Sequence, residues 1–312
     1  MSELCLPHGN VITTPIGVGC AYLTEGFTPD HDGRIVDVAF EAGARHFDVA
    51  PSYGMGTAEG VLGRALRRRR DRVTIATKVG LPRNEASRGK LLLRAILAPT
   101  RGLRRKVPTS LLPPKRQLDF SPAFVARMLE GSLRRLCTDY VDAYLLHEVT
   151  PELLTPELLA LLADRKSAGQ VRAIGLATSR ADADAIVAAW PGVFDIVQHS
   201  WNAFDPPLPP PLHFRITHRA IMGAMDRMTT WLRGDRATAR RLSDATGRDV
   251  SDPGVLSALL LGAAISANPG GITLVASRST QRTKANIAAG LEPHNIEAGR
   301  RLAQAVAAEP LR

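Results

Sequence analysis

Four titratable side chains stand at or just beyond the ends of short apolar runs. Asp48 closes the run in FDVAPSYG, with Tyr53 following in the same stretch, Lys78 sits in IATKVG and His147 in DAYLLHE. A free phenol titrates near 10 and gives up its proton reluctantly at neutral pH. An ammonium beside it stabilises phenolate and lowers that value, and a carboxylate holds the ammonium charged and in place. A neutral imidazole can donate to a carbonyl oxygen and orient it. The set amounts to a tuned general acid with an oxyanion partner, aimed at a carbonyl that gains negative charge. Hydride arriving at the carbonyl carbon produces such charge. Taken singly, each residue also has a structural reading. Asp48 can cap a loop or helix, Tyr53 can be a half-buried aromatic, Lys78 a snorkelling edge charge, and His147 a hydrogen-bonded core histidine. Their equivalent positions on consecutive strands favour the joint reading.

The elements that must position them alternate regularly. Strand-like runs are Pro15–Ala21, Arg45–Val49, Val73–Lys78, Tyr140–Leu146, Val171–Ala177, Phe194–Gln198, His213–Thr217 and Ile272–Ala276. Helical patterns fall at His31–Ala42, Thr57–Arg69, Pro156–Ala168, Ala181–Ala189, Gln281–Ala289 and Pro293–Ala308, and Ser121-Pro122 opens another as N-cap and N1. Repeated βα units imply parallel strands with crossover helices. An open doubly wound sheet and a closed (β/α)8 barrel both satisfy the pattern, and eight units in about 260 residues fit the barrel. Active groups of such barrels gather where strands end, which places the four residues on one rim. His8-Gly9-Asn10, within Cys5–Thr14, reads as the tip of a small N-terminal hairpin. Pro206–Pro211 holds five prolines and cannot be helical, so an extended crossover is expected between the sixth and seventh strands. No linker divides residues 1–312, so a single barrel domain is expected.

The 312 residues carry a net charge of +10 and three cysteines, Cys5, Cys20 and Cys137. The cysteines form no C-x-x-C, which argues against a disulfide framework or zinc site and suits a cytoplasmic protein. Neither a signal peptide nor a membrane-spanning run is visible. Almost all of the excess charge belongs to an insertion after the third strand. Residues 83–116 hold ten Lys or Arg and one acid, Glu85. That insertion has no Phe, Tyr or Trp to stack on bases, so no nucleic-acid partner is expected. It reads as a solvated loop or as an electrostatic lid over an anionic ligand.

The stretches GARHFDVAPSYGMGTAEGVLGRAL, VTIATKVG, SLRRLCTDYVDAYLLH, GQVRAIGLATS, VQHSWN and STQRTKANI resemble the aldo-keto reductases, in the family's order. The resemblance implies a TIM barrel that binds NADP(H) across its C-terminal face and passes hydride to or from a small carbonyl or alcohol substrate. Tyr53 would then be the proton donor or acceptor, tuned by Asp48 and Lys78, with His147 orienting the carbonyl. Gln198 falls where the family holds the nicotinamide carboxamide. The neighbouring Ser-Asn pair is here Ala177-Thr178, which leaves one hydroxyl. His218 stands at the position of the stacking aromatic. Ser277, Arg278, Arg282 and Asn286 fall where the adenosine phosphate is held, although Ala276 replaces the family's lysine. Paired arginines suit a 2′-phosphate and so NADP. Tyr22 and Trp201 are expected at the substrate pocket. No metal ligand set is seen, since His213 and His218 alone do not suffice.

Other motifs are decoys. Gly54, Gly56 and Gly60 form G-x-G-x-x-x-G, one residue too long for a dinucleotide fingerprint, with Glu59 where a glycine is needed. Met222, Met225 and Met228 read as core filler, with a pocket wall as the alternative. The competing function is a nucleotide-sensing regulatory protein on the same fold, which would tolerate loss of one of the four reactive groups.

Overall fold

The computed structural model describes residues 4–24, 29–82 and 117–308, with the backbone alone at 29–32. The basic insertion 83–116 lies outside the described residues. Eight parallel strands close into a barrel: β3 (Ile16–Gly19), β4 (His46–Asp48), β5 (Thr74–Val79), β6 (Val141–His147), β7 (Val171–Ala177), β8 (Ile196–Ser200), β9 (Phe214–His218) and β10 (Ile272–Val275), in that order around the ring. β10 pairs with both β3 and β9, which completes the closure. The short antiparallel hairpin of β1 (Leu4–Cys5) and β2 (Ile12–Thr13) lies where His8-Gly9-Asn10 suggested. Leu6, just beyond β1, is buried with inward residues of the barrel, including Ala76, Ala143, Ala173 and Ile272.

Alternation along each strand divides the core. Leu145, Ile196, Ile216 and Leu274 fill the barrel interior, while Tyr144, Leu146, Ile174 and Val275 belong to the layer shared with the helices. The helices are α1 (Pro29–Glu41), α2 (Ala58–Leu66), α3 (Pro122–Leu136), α4 (Pro156–Ser167), α5 (Arg180–Ala189), α6 (Ala224–Gly234), α7 (Arg236–Thr246), α8 (Pro253–Ala267), α9 (Thr280–Leu291) and α10 (Pro293–Ala307). Pro opens α3, α4, α8 and α10 at the first turn, where its missing N–H is harmless. α8 and α10 pack closely because Gly262 and Gly299 face the opposing backbone. A Cβ on Gly262 would lie 2.1 Å from the Asn295 oxygen.

The crossover between β8 and β9 contains no helix, as the proline run requires. Side chains pin it instead. The Trp201 indole donates to the Pro206 carbonyl at 3.0 Å, and Arg215 Nη2 donates to the Pro209 carbonyl at 2.9 Å. Between β9 and β10 the chain makes three helices, α6 to α8, of which the sequence pattern showed only the methionine stripe. No described helix is long and apolar enough to cross a membrane.

Candidate active site

The strand register sets Asp48 and Lys78 one pair apart on adjacent strands. Asp48 pairs with Ala76 in β5, and Lys78 lies two residues on, on the same inward face. Both side chains are almost fully buried. The Lys78 ammonium is ion-paired with Asp48 Oδ1, donates to the Val49 carbonyl at 3.3 Å, and is hydrogen-bonded to the Tyr53 phenol. Its nitrogen stands 4.9 Å from the Tyr53 ring centroid. An ammonium has donors alone, so the phenol oxygen accepts and the phenol keeps its own proton to give elsewhere. The His147 ring meets Tyr53 edge-on, with centroids 6.0 Å apart and an interplanar angle of 84°.

A tight turn presents Tyr53. Gly54 adopts φ of 54°, and a Cβ there would lie 1.6 Å from the Leu23 carbonyl oxygen, so only glycine fits. Glu59, the residue that spoiled the dinucleotide fingerprint, is buried behind this turn. It accepts from the Thr77 hydroxyl and pairs with Arg135, each at 2.7 Å. Its carboxylate fastens α2 to β5 and α3, beside the strand that carries Lys78.

Burial changes one expectation about acidity. Lys78 was expected to lower the phenol's pKa. It does pull that way, but burial outweighs it and Tyr53 sits above the ordinary phenol value. Burial also opposes the charge on Lys78, yet the combined attraction of Asp48 and Tyr53 raises its pKa. Asp48 has a second buried partner, since Gln198 Nε2 donates to its Oδ2 at 2.8 Å.

These groups form the floor of a cavity of about 1260 Å³. Tyr22, Asp48, Tyr53, Lys78, His147, Thr178, Gln198, His218, Ser277, Arg282 and Asn286 all line it. Thr178 donates its hydroxyl to the Val149 carbonyl at 2.8 Å, leaving acceptor lone pairs for a ligand. Trp201 requires correction as a substrate contact. It is 4% exposed, packs in the hydrophobic core and does not line the cavity. The turn into the proline tract draws it outward. Arg278 is also outside the lining, and its guanidinium rests on the Tyr22 ring at 4.9 Å. The methionine stripe divides: Met228 is core, while Met222 and Met225 are cavity wall. Sequence reasoning missed Glu148 and Arg219, each directly following a singled-out strand-end residue, and Pro253, Gly254, Ser257 and Ala258 at the start of α8. Position next to a strand end was the available signal for the first two. Among the described residues no group of His, Cys, Asp or Glu is arranged for a metal.

Two imidazoles, one buried and one half-buried, make stability pH-dependent. Burial pushes His218, at the cavity, and His46, inside the barrel, down to about 4. Unfolded imidazoles titrate near 6.5, so this contribution is complete above about 6.5 and is lost as pH falls toward 4. The urea midpoint is expected to drop across that window, with the drop shallower by about one proton in His46→Leu. A midpoint level over the window would show that these rings are not held neutral.

The aldo/keto reductase family model matches residues 15–210, which contain β3 to β8 and all four reactive groups. This chain belongs to the aldo/keto reductase family. Among its relatives, the NADH-specific methylglyoxal reductase of Escherichia coli is 29% identical over 66% of this chain and 60% of its own length. The first three curated relatives are matched over 60%, 42% and 45% of their lengths, so the chain spans about half of each. The fold is shared with the glycerol dehydrogenase of Gluconobacter oxydans, at TM-score 0.69 and 19% identity over 100% of this chain and 98% of that one. It is also shared with an aldo/keto reductase of Klebsiella pneumoniae solved with NADP and acetate, at TM-score 0.65 and 19% identity over 97% and 95%. At these identities the structural likeness speaks to the fold alone.

Proposed function

We propose that this protein is an oxidoreductase that transfers hydride between NADP(H) and a carbonyl or its alcohol: an aldehyde, a ketone or an aldose. The observation that carries the reading is the continuous contact chain from Gln198 through Asp48 and Lys78 to Tyr53 and His147, on the floor of one large cavity. A binding-only protein has no need of a buried ammonium held against a phenol.

The residues present fit a nicotinamide dinucleotide. Drug-sized ligands fill roughly 300–1,000 Å³, and this cavity exceeds that range at about 1260 Å³. It reaches from the Tyr53 floor to the first turns of α9. There Ser279 caps the helix, and Arg282 bonds only weakly to Ser277 Oγ at 3.4 Å, which leaves its guanidinium for an anion. Gln198, Thr178 and His218 would hold the nicotinamide end, and Ser277, Arg282 and Asn286 the adenosine phosphate. When bound, the cofactor supplies or accepts the hydride.

In reduction, Tyr53 gives its proton to the carbonyl oxygen, and the Lys78 ammonium, already donating to that phenol oxygen, stabilises the phenolate left behind. Asp48 keeps Lys78 charged within the barrel, and His147 directs the carbonyl oxygen toward Tyr53. In oxidation Tyr53 takes the proton back. Separate fluorescence titrations with NADPH and NADH, followed by a carbonyl panel, test the reading. Nucleotide binding without turnover of any carbonyl would instead favour the sensor. One relative is named as NADH-specific, so coenzyme choice is tested separately. Arg282→Ala is expected to weaken NADPH by about tenfold or more, a charge-assisted phosphate contact being about 1.5–3 kcal/mol. NADH should lose much less, and equal losses would remove the 2′-phosphate contact.

A further inference from the structure

Among the described residues, the charged side chains at the cavity rim are divided between its opposite sides. Around the closed ring, β6 and β10 are four strands apart in either direction, so the loops after them face one another across the mouth. The β9 and β10 side contributes Arg219 and Arg282, and the β6 and β7 side contributes Glu148 and Asp182. The arginine side suits the phosphates of a dinucleotide. The acidic side adjoins Tyr53 and His147, where a substrate must sit.

Among the described residues, the three carboxylates of the cavity differ in what already occupies them. Asp48 is shared by Lys78 and Gln198, and Asp182 accepts from the Ser179 hydroxyl. Among the described residues, no side chain donates to Glu148. Its backbone is nevertheless anchored. Glu148 directly follows His147, holds a left-handed φ of 58°, and donates its N–H to the Ala177 carbonyl at 2.8 Å. A residue with a Cβ rarely adopts that conformation without a constraint. Glu148 thus lines the cavity next in sequence to the carbonyl-orienting His147, exposed and with no described side chain donating to its carboxylate.

We propose that Glu148 determines substrate specificity. It accepts a hydrogen bond from a hydroxyl on the carbon next to the reacting carbonyl, and it turns away substrates that carry a carboxylate there. The inference rests on the catalytic reading above. A hydroxyl replaces the water that Glu148 gives up when the cavity fills, whereas an unsubstituted chain leaves the carboxylate partly desolvated and unpaired. A second carboxylate adds like-charge repulsion at the rim, where Glu148 is exposed. Among the described residues, the arginines of the cavity stand on the opposite side of the rim.

A two-carbon series tests the proposal, with glycolaldehyde carrying the hydroxyl, acetaldehyde neither group, and glyoxylate the carboxylate. NADPH consumption gives kcat/KM for each, and NADPH fluorescence shows that each variant retains its nucleotide site. The wild type should rank them in the order given. Glu148→Ala should lower the glycolaldehyde-to-acetaldehyde ratio about tenfold. Glu148→Gln keeps the size and an acceptor but not the charge, and should raise the glyoxylate-to-acetaldehyde ratio about tenfold. Ratios that stay within about twofold in both variants, or rates that fall together for all three substrates, would overturn the proposal while leaving the catalytic reading intact. NADPH binding with no carbonyl turned over by the wild type overturns both.

Discussion

Tyr53→Phe is expected to lower turnover by about 10²–10⁴-fold, the usual contribution of a positioned general acid, with NADPH affinity almost unchanged. The substitution removes one oxygen and keeps the ring that His147 meets edge-on. Lys78 then loses its phenol partner but keeps Asp48 and the Val49 carbonyl, so the site stays assembled. The pH profile adds a second check. Burial holds the phenol above its ordinary value, so it stays protonated through the neutral range. Reduction should be level there and fall only in strongly alkaline solution, while oxidation, which needs phenolate, should rise over the same alkaline range. Single-turnover rates on a substrate reduced by the wild type make the comparison. Full activity in the phenylalanine variant would falsify the role given to Tyr53.

Lys78→Met should be the most destabilising single change in the site. It removes the counter-charge from Asp48, whose carboxylate is then buried with Gln198 as its remaining hydrogen-bonding side chain. Breaking one half of a buried pair costs about 3–5 kcal/mol, because the orphaned charge stays desolvated. The double change Asp48→Asn with Lys78→Met should recover most of that loss, since no lone charge remains, and should stay inactive. Urea unfolding of the two single variants and the double variant gives the coupling. A loss below about 1 kcal/mol for Lys78→Met would mean that water reaches Asp48 and that the ion pair is not buried as described.

Much of the barrel and its reactive groups was legible because both have local signatures. Apolar runs of four to seven residues, bounded by polar ends and separated by helical stripes, mark parallel strands whatever the loops do. Asp48, Lys78 and His147 each close such a run, and Tyr53 follows one at a tight glycine turn. The proline tract announced a missing crossover helix through its own chemistry. Strand ends were shifted by a residue or two, because the last ladder pair depends on the neighbouring strand. Other features had no local mark. Trp201 follows β8 much as Tyr53 follows β4, yet the extended crossover turns its indole to Pro206 and into the core. Arg278 stands in the stretch that the resemblance assigns to phosphate, yet Tyr22, from the far end of the chain, holds it by stacking.

The order and chemical types of the reactive residues were settled by the sequence, because each belongs to its own βα unit and a parallel barrel sends every strand end to one face. Tertiary structure alone decided how those residues act on one another. The bond from Gln198 to Asp48 joins residues 150 positions apart and exists only once the ring closes. The same closure draws Tyr53 partly out of water, so burial prevails over the lysine and sets the direction in which the phenol's acidity moves.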